Sequence, residues 1–140
     1  MYEGGCLCGK LRFEIRGGID SIVYCHCSLC RKAQGSAFAT NGVVQRKDFH
    51  FVRGENQLTA FESSPGQHKL FCKHCGSPIV STNEARPEEL RIRLGTVDTP
   101  ITERPQAHIF ATSKAGWDHI CDDLPQYDGY EPGRNPGETE

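Results

Sequence analysis

Cys72-Lys73-His74-Cys75-Gly76 is the stretch that most constrains the fold, because a Cys-x-x-Cys pair followed by glycine is typical of a metal-binding turn. Its two thiolates can occupy two corners of a tetrahedral zinc site, and the glycine lets the backbone turn tightly beside the sulfurs. A structural zinc needs four ligands. Cys6-Leu7-Cys8-Gly9 is the other isolated pair, so we predict one closed zinc site formed by Cys6, Cys8, Cys72 and Cys75.

A second group of cysteines, Cys25-His26-Cys27-Ser28-Leu29-Cys30, places three thiols within six residues. Three thiolates can fill three corners of a tetrahedron, and catalytic zinc sites leave the fourth corner to water or substrate. We therefore predict a second, catalytic-type zinc at Cys25, Cys27 and Cys30, which makes two Zn²⁺ per chain. Zinc with three thiolates carries a net charge of about −1 and is a poor Lewis acid, which favours sulfur chemistry over hydrolysis.

The eight cysteines could also form disulfides or bind iron. Disulfides are disfavoured because seven of the eight lie in tight clusters, which suits chelation. Iron is also held by four thiolates, but zinc suits a small chain without a redox-partner signature. The trio could still be closed by a fourth protein ligand, which would make both sites structural. The candidates for that ligand are Cys121, His26, His50, His68, His74, His108 and His119. Cys121, the cysteine outside the clusters, is expected to be a packed thiol instead.

Composition limits the classes of protein that this chain can represent. Its 140 residues suit one domain, and its formal net charge of −2 lacks the basic excess of nucleic-acid or anionic-membrane binders. No apolar stretch approaches the roughly 20 residues of a membrane helix. The segment Met1–Gly5 has no feature of a secretory signal, so a cytoplasmic location is expected. Nothing in the sequence indicates the oligomeric state.

Short alternating segments predict a small all-β domain with little helix. Leu11, Phe13 and Ile15, for example, alternate with charged residues, as in a half-buried strand. The other predicted strands cover residues 19–25, 38–44, 49–52, 57–61, 68–71, 90–94 and 107–111. One short helix is expected over Ser28–Gln34, with Ser28 as N-cap and Gly35 as terminator. The domain is expected to span residues 1–125, and residues 126–140, rich in Gly, Pro and Glu, are expected to form a flexible C-terminal tail.

Taken in order, the three cysteine clusters resemble the glutathione-dependent formaldehyde-activating enzymes, also called the centromere-protein-V-like family. The matching stretches are Gly5–Gly9, Cys25–Arg31 and Phe71–Ser77, followed by His108-Ile109-Phe110 and Trp117. The resemblance implies a small zinc-stapled β-tent fold. It also implies a structural zinc at Cys6, Cys8, Cys72 and Cys75, and a catalytic-type zinc at Cys25, Cys27 and Cys30. The implied activity is that of a carbon–sulfur lyase, which condenses glutathione with formaldehyde to S-(hydroxymethyl)glutathione.

Two further residues are candidates for the reaction of a thiol such as glutathione with a small aldehyde. Arg31 follows the trio and could orient a carboxylate of glutathione, and His108 could supply a proton to the new hydroxyl oxygen. A solvated charge and a strand histidine are the simpler interpretations of these two residues. Trp117 is expected either in the core or as a lid over the site. The alternative to an enzyme is a non-catalytic zinc-stapled binding module.

Overall fold

The computed structural model describes residues 1–134, and in this part of the chain it contains ten β-strands and one α-helix. The strands are β1 (Tyr2–Gly5), β2 (Arg12–Ile15), β3 (Asp20–Cys25), β4 (Ala39–Gln45), β5 (Phe49–Arg53), β6 (Leu58–Ser64), β7 (Gln67–Cys72), β8 (Pro78–Asn83), β9 (Glu89–Arg93) and β10 (Ala107–Ile109). The helix, α1, is Ser28–Gln34. The mainly β prediction with little helix is confirmed.

The strands form two sheets of unequal size. A three-stranded antiparallel sheet has the order β1-β2-β5, and a seven-stranded sheet has the order β10-β3-β4-β9-β8-β7-β6. Within the larger sheet, β10 runs parallel to β3, and the other neighbouring strands run antiparallel. The helix α1 directly follows β3, contacts β4, and brings Cys30 within 4.0 Å of Lys69 on β7.

Both sheets contribute to the main hydrophobic core. On β2, Phe13 and Ile15 are buried while the alternate residues are partly exposed, as the period-2 pattern predicts. The ring of Phe13 stacks on Phe49 of β5, with centroids 5.0 Å apart. The larger sheet adds Val44, Ile79 and Ile92 among others. A second, smaller cluster contains Val23, Cys25, Cys30, Ala39, Ala107 and Ile109, so two cysteines of the trio are part of a packed core.

The segment that follows residue 125 is hydrogen-bonded where the structure describes it. The backbone N–H of His108 donates to Pro125 O at 2.9 Å, and that of Tyr127 donates to His108 O at 2.9 Å. Ala111 N donates in turn to Tyr127 O at 3.0 Å. The boundary between a domain ending at residue 125 and a tail stays a prediction, and residues 135–140 of that predicted tail lie outside the described residues.

No membrane-spanning helix is found in residues 1–134. The single α-helix there, α1, has seven residues, whereas a span needs roughly 20.

Candidate metal centres

The four cysteines predicted to form a closed site are brought together at one end of the two sheets. Cys6 and Cys8 lie in the turn after β1, and Cys72 and Cys75 lie at the end of β7 and in the turn that follows. Their four Sγ atoms all lie within 4.8 Å of one another. Cys6 Sγ is 3.5 Å from Cys8 Sγ, which is 3.9 Å from Cys72 Sγ. Tetrahedral zinc with Zn–S bonds of about 2.3 Å requires S···S distances of about 3.8 Å, so the donor set and its spacing fit zinc.

The two turns are built to hold sulfurs close to backbone N–H groups. Gly9 and Gly76 follow the second cysteine of each pair, and both have positive φ, +79° and +81°, which glycine adopts without strain. Leu7 N donates to Ser77 Oγ at 2.8 Å, which links one turn to the other. Ser77 Oγ also lies 3.3 Å from Cys75 Sγ, and this hydroxyl lowers the pKa of the Cys75 thiol to about 5. The thiolate, which is the metal-binding form, is thereby favoured.

The second group is assembled by the end of β3 and the start of α1. Cys25 is the last residue of β3, Cys27 is the N-cap of α1, and Cys30 is in the first turn of that helix. Cys30 N donates to Cys27 Sγ at 3.4 Å. The prediction of Ser28 as N-cap is therefore wrong, because the sulfur of the preceding residue accepts this hydrogen bond. The predicted terminator Gly35 is confirmed by its left-handed conformation.

The three Sγ atoms of Cys25, Cys27 and Cys30 also lie within 4.8 Å of one another. Within residues 1–134, the group contains no fourth histidine, cysteine or carboxylate ligand atom. Cys25 and Cys30 are buried, whereas Cys27 is partly exposed, so solvent reaches the group on the Cys27 side. Three thiolates with one accessible side are a donor set that zinc accepts in sites with an exchangeable ligand.

A chain of three hydrogen-bonded side chains lies next to this group. His26, between two of the cysteines, is fully buried, and its Nε2 is 2.8 Å from His108 Nδ1. His108 Nε2 is 2.9 Å from Asp122 Oδ2. Burial, followed by repulsion from His108, lowers the pKa of His26. The hydrogen bond from His108 lowers the pKa of Asp122. Both ring nitrogens of His108, a predicted site residue, are thus engaged within the protein.

Two cations lie near the trio, and they differ in what they contact. Arg31, the other predicted site residue, donates from Nε to His26 O at 3.2 Å, which ties its side chain to the cysteine loop. Lys69 of β7 places Nζ 4.0 Å from Cys30 Sγ. Sequence reasoning missed Lys69, because it is 39 residues from Cys30 and lies in an ordinary strand. Charge attraction from Lys69 lowers the pKa of the Cys30 thiol, although the contact with Cys27 and burial leave that pKa raised overall.

Two other residues lie on the surface. Trp117 is 76% exposed, which excludes the core as its location. Cys121 is exposed, and its Sγ lies 3.5 Å from His119 O. The prediction of a packed thiol at this position is therefore wrong, because the loop around it leaves the sulfur facing solvent rather than apolar neighbours.

Comparison with known proteins points to one family. The profile of the family described as glutathione-dependent formaldehyde-activating enzyme matches residues 1–113. A Halomonas elongata protein, whose name assigns it provisionally to the same enzymes, is 25% identical over 131 residues, covering 86% of this chain and 81% of its own. An uncharacterised lyase of Schizosaccharomyces pombe is 28% identical over 88 residues, covering 61% of this chain and 62% of its own.

Solved structures are similar in fold as well as in sequence. One of them is the crystal structure of a Rhodobacter sphaeroides protein, with 25% sequence identity and a TM-score of 0.60. The alignment covers 74% of this chain and 97% of that protein.

Proposed function

The chain belongs to the glutathione-dependent formaldehyde-activating enzyme family, and on this basis we propose that it is a zinc-dependent carbon–sulfur lyase that adds glutathione to formaldehyde. In the proposed reaction the thiol sulfur forms a bond to the carbonyl carbon, and the thiol proton ends on the new hydroxyl oxygen. The observation that carries the proposal is the group of Cys25, Cys27 and Cys30, three thiols that have gathered without a fourth ligand in the described chain.

The trio and Lys69 supply the charges of the proposed site. When bound at the three cysteines, zinc would lower the pKa of a thiol in the fourth position, so that a nucleophilic thiolate is present at neutral pH. Lys69, with Nζ 4.0 Å from Cys30 Sγ, offsets the negative charge of the three thiolates. Its position also supports an attraction for a second anion, such as the sulfur of an incoming substrate.

His108 is better suited to positioning than to proton donation. Its Nδ1 contacts His26 and its Nε2 contacts Asp122, which leaves neither ring nitrogen available to a substrate. The chain of hydrogen bonds instead fixes the segment between Cys25 and Cys27. For Arg31, the bond to His26 O supports the same kind of role. The closed site at Cys6, Cys8, Cys72 and Cys75 is proposed to hold a second, structural zinc.

Three serine substitutions test whether one cysteine group is catalytic and the other is structural. Zinc per chain, thermal unfolding and the rate of thiol addition to ¹³C-formaldehyde, followed by exchange NMR, are measured for each variant. Cys30→Ser should lose one of two zinc ions and the catalysed rate while keeping most of the stability, because its site is proposed to be catalytic. Cys72→Ser should unfold at a clearly lower temperature, because its site joins two distant turns. Cys121→Ser, an exposed cysteine outside both groups, should match the wild type.

The alternative of a non-catalytic zinc-stapled module makes the opposite prediction for one variant. If the wild-type protein does not accelerate the addition above the uncatalysed rate, or if Cys30→Ser unfolds as easily as Cys72→Ser, the trio is structural and the proposed activity is wrong.

A further inference from the structure

Arg93 of β9 is a buried cation without a carboxylate partner in residues 1–134. It is 4% exposed, and its two hydrogen-bond acceptors are neutral: Nε donates to Gln34 Oε1 at 3.0 Å, and Nη1 donates to Arg91 O at 3.3 Å. Arginine is almost never fully buried unless it is paired, because a buried guanidinium loses its hydration. The position therefore suits an anion that the described chain does not supply.

Arg93 lines a cavity of about 370 Å³. Its charged lining residues are Lys69 and Arg93, and no aspartate or glutamate lines it. The remaining wall is largely apolar and comes from α1 and from strands β6 to β8. The residues that form this wall include Ala33, Phe61, Leu70, Phe71, Pro78 and Val80. An apolar pocket of this size with a few converging polar groups is the usual form of a small-molecule site.

The cavity lies beside the cysteine trio, and α1 and Lys69 connect the two. Cys30, Ala33 and Gln34 are spaced i, i+3 and i+4 on α1, so they share one face of the helix, and the last two line the cavity. From the opposite wall, Lys69 lines the cavity while its Nζ is 4.0 Å from Cys30 Sγ. A molecule in the cavity would therefore lie between Arg93 and Lys69, the lysine that contacts Cys30.

We propose that this cavity binds the thiol reactant through a carboxylate held by Arg93 and an apolar segment held by the wall. The inference rests on the proposed function for the chemistry at Cys30. Formaldehyde has neither a charge nor an apolar segment and would leave the cavity unused, so the recognised groups belong to the thiol. Lys69 is directed to the thiolates, so the carboxylate falls to Arg93. Its Nε and one Nη1 N–H already donate within the protein, which leaves Nη2 and the second N–H of Nη1 to donate to a carboxylate as a pair.

Binding of a probe without sulfur separates this recognition from catalysis. The probes are 4-phenylbutanoate and its neutral isostere 4-phenylbutanamide, titrated by calorimetry into the zinc-loaded protein at pH 7.5. We expect the wild type to bind the carboxylate at least about tenfold more tightly than the amide. Arg93→Met should lose that preference, and Arg93→Lys should keep part of it. Lys32→Gln removes the same charge from an exposed position of α1 outside the cavity and should behave as the wild type.

The outcomes distinguish this inference from the proposed reaction. Equal binding of the two probes by the wild type overturns the inference whether or not the variants fold. So does an undiminished preference in Arg93→Met. If thiol addition to formaldehyde proceeds in either of those cases, the proposed reaction stands without this site. If the preference depends on Arg93 while no addition is catalysed, the anion site stands and the reaction does not.

Discussion

At the scale of single residues, the pairing of His26 with His108 fixes which nitrogen carries a proton. The Asp122 carboxylate can only accept, so His108 Nε2 donates to it, and in the neutral ring Nδ1 must then accept from His26 Nε2–H. His26 Nδ1 is left as a buried acceptor without a hydrogen-bond partner. The low-pKa His26 is therefore held neutral and in one tautomer, in the loop between two cysteines.

Replacing His108 should show how much its hydrogen bond with His26 contributes to stability. In His108→Phe the ring still packs on Tyr24, but His26 Nε2–H loses its acceptor in a fully buried place. We expect the free energy of unfolding to fall by about 1–3 kcal/mol, as for other buried unsatisfied donors. Urea denaturation of the zinc-loaded protein measures this change in the free energy of unfolding. Asp122→Asn keeps an acceptor oxygen for His108 and should cost less. Equal stability of His108→Phe and the wild type would show that this hydrogen bond does not hold the loop.

The sequence could predict the cysteines of both groups because each cluster carries a short local spacing, Cys-x-Cys or Cys-x-x-Cys. Cys25, Cys27 and Cys30 converge because a strand end and one helical turn bring them together. Lys69 and Arg93 could not be found in this way, because each is an ordinary strand cation whose significance comes from burial and from a neighbour on α1. Their neighbours are 39 and 59 residues away, so no local pattern reports them.

At the scale of elements, α1 is short, and its ends determine where Cys30 lies. Its first turn is capped by the Cys27 sulfur, and its last is closed by Gly35, whose N–H donates to Arg31 O at 2.8 Å with φ +63°. Isolated helices of this length are not stable in water, so the caps and the packing of Cys30 must hold it.

Gly35→Ala should therefore weaken zinc binding by the cysteine trio, although residue 35 does not contact the metal site. Apart from the neighbouring backbone, no atom lies within 4 Å of the added Cβ, so the cost comes from the left-handed backbone alone, about 1 kcal/mol. We expect that loss of stability together with faster zinc transfer from the trio to a chromophoric chelator. Gly116→Ala adds the same methyl group in open space without a positive φ and should change neither quantity. If both variants release zinc at the same rate, the cap does not control the site.

Local sequence patterns failed to predict two of the strands and the end of a third. β1 was not predicted because its sequence, Tyr-Glu-Gly-Gly, contains two glycines, which are depleted in strands, and its pairing with β2 compensates for them. β8 was also missed, although Ile79, Val80 and Thr82 are β-branched and proline is accepted at a first strand position. The last strand was predicted to reach residue 111 but ends at Ile109, because Phe110 adopts a left-handed conformation with φ +52°.

At the scale of the whole molecule, the two sheets are joined at separate points. The four-cysteine group connects the turn after β1 to the turn after β7. The segment before β10 makes another connection through Glu103, whose carboxylate accepts from the Tyr2 hydroxyl on β1 and, at 3.0 Å, from the backbone N–H of Ile19 beside β3. The sequence predicted the first connection from cysteine spacing but gave no signal for the second, since Glu103 is 101 residues from Tyr2.

The Glu103 connection should make stability depend on pH in a defined window. The hydrogen bond from Tyr2, followed by that from Ile19 N, lowers the pKa of Glu103 from 4.5 to about 2. A carboxylate with a lowered folded-state pKa stabilises the protein fully above its unfolded-state pKa, and this contribution is lost as the pH falls towards the folded-state value. Glu103→Gln should therefore be less stable than the wild type at pH 7, by about 1 kcal/mol for a partly exposed group.

The quantity to follow is the difference in free energy of unfolding between the wild type and Glu103→Gln. The difference is needed because acid also protonates the zinc-binding thiolates in both proteins. It should stay constant from pH 7 to about 5 and shrink between about 4.5 and about 2, as measured by urea unfolding at each pH. Glu88→Gln, at an exposed glutamate without a described side-chain hydrogen bond, should follow the wild type throughout. A difference that persists unchanged at pH 2.5 would mean that the neutral acid bridges the sheets as well as the carboxylate does, and that the charge of Glu103 does not stabilise their junction.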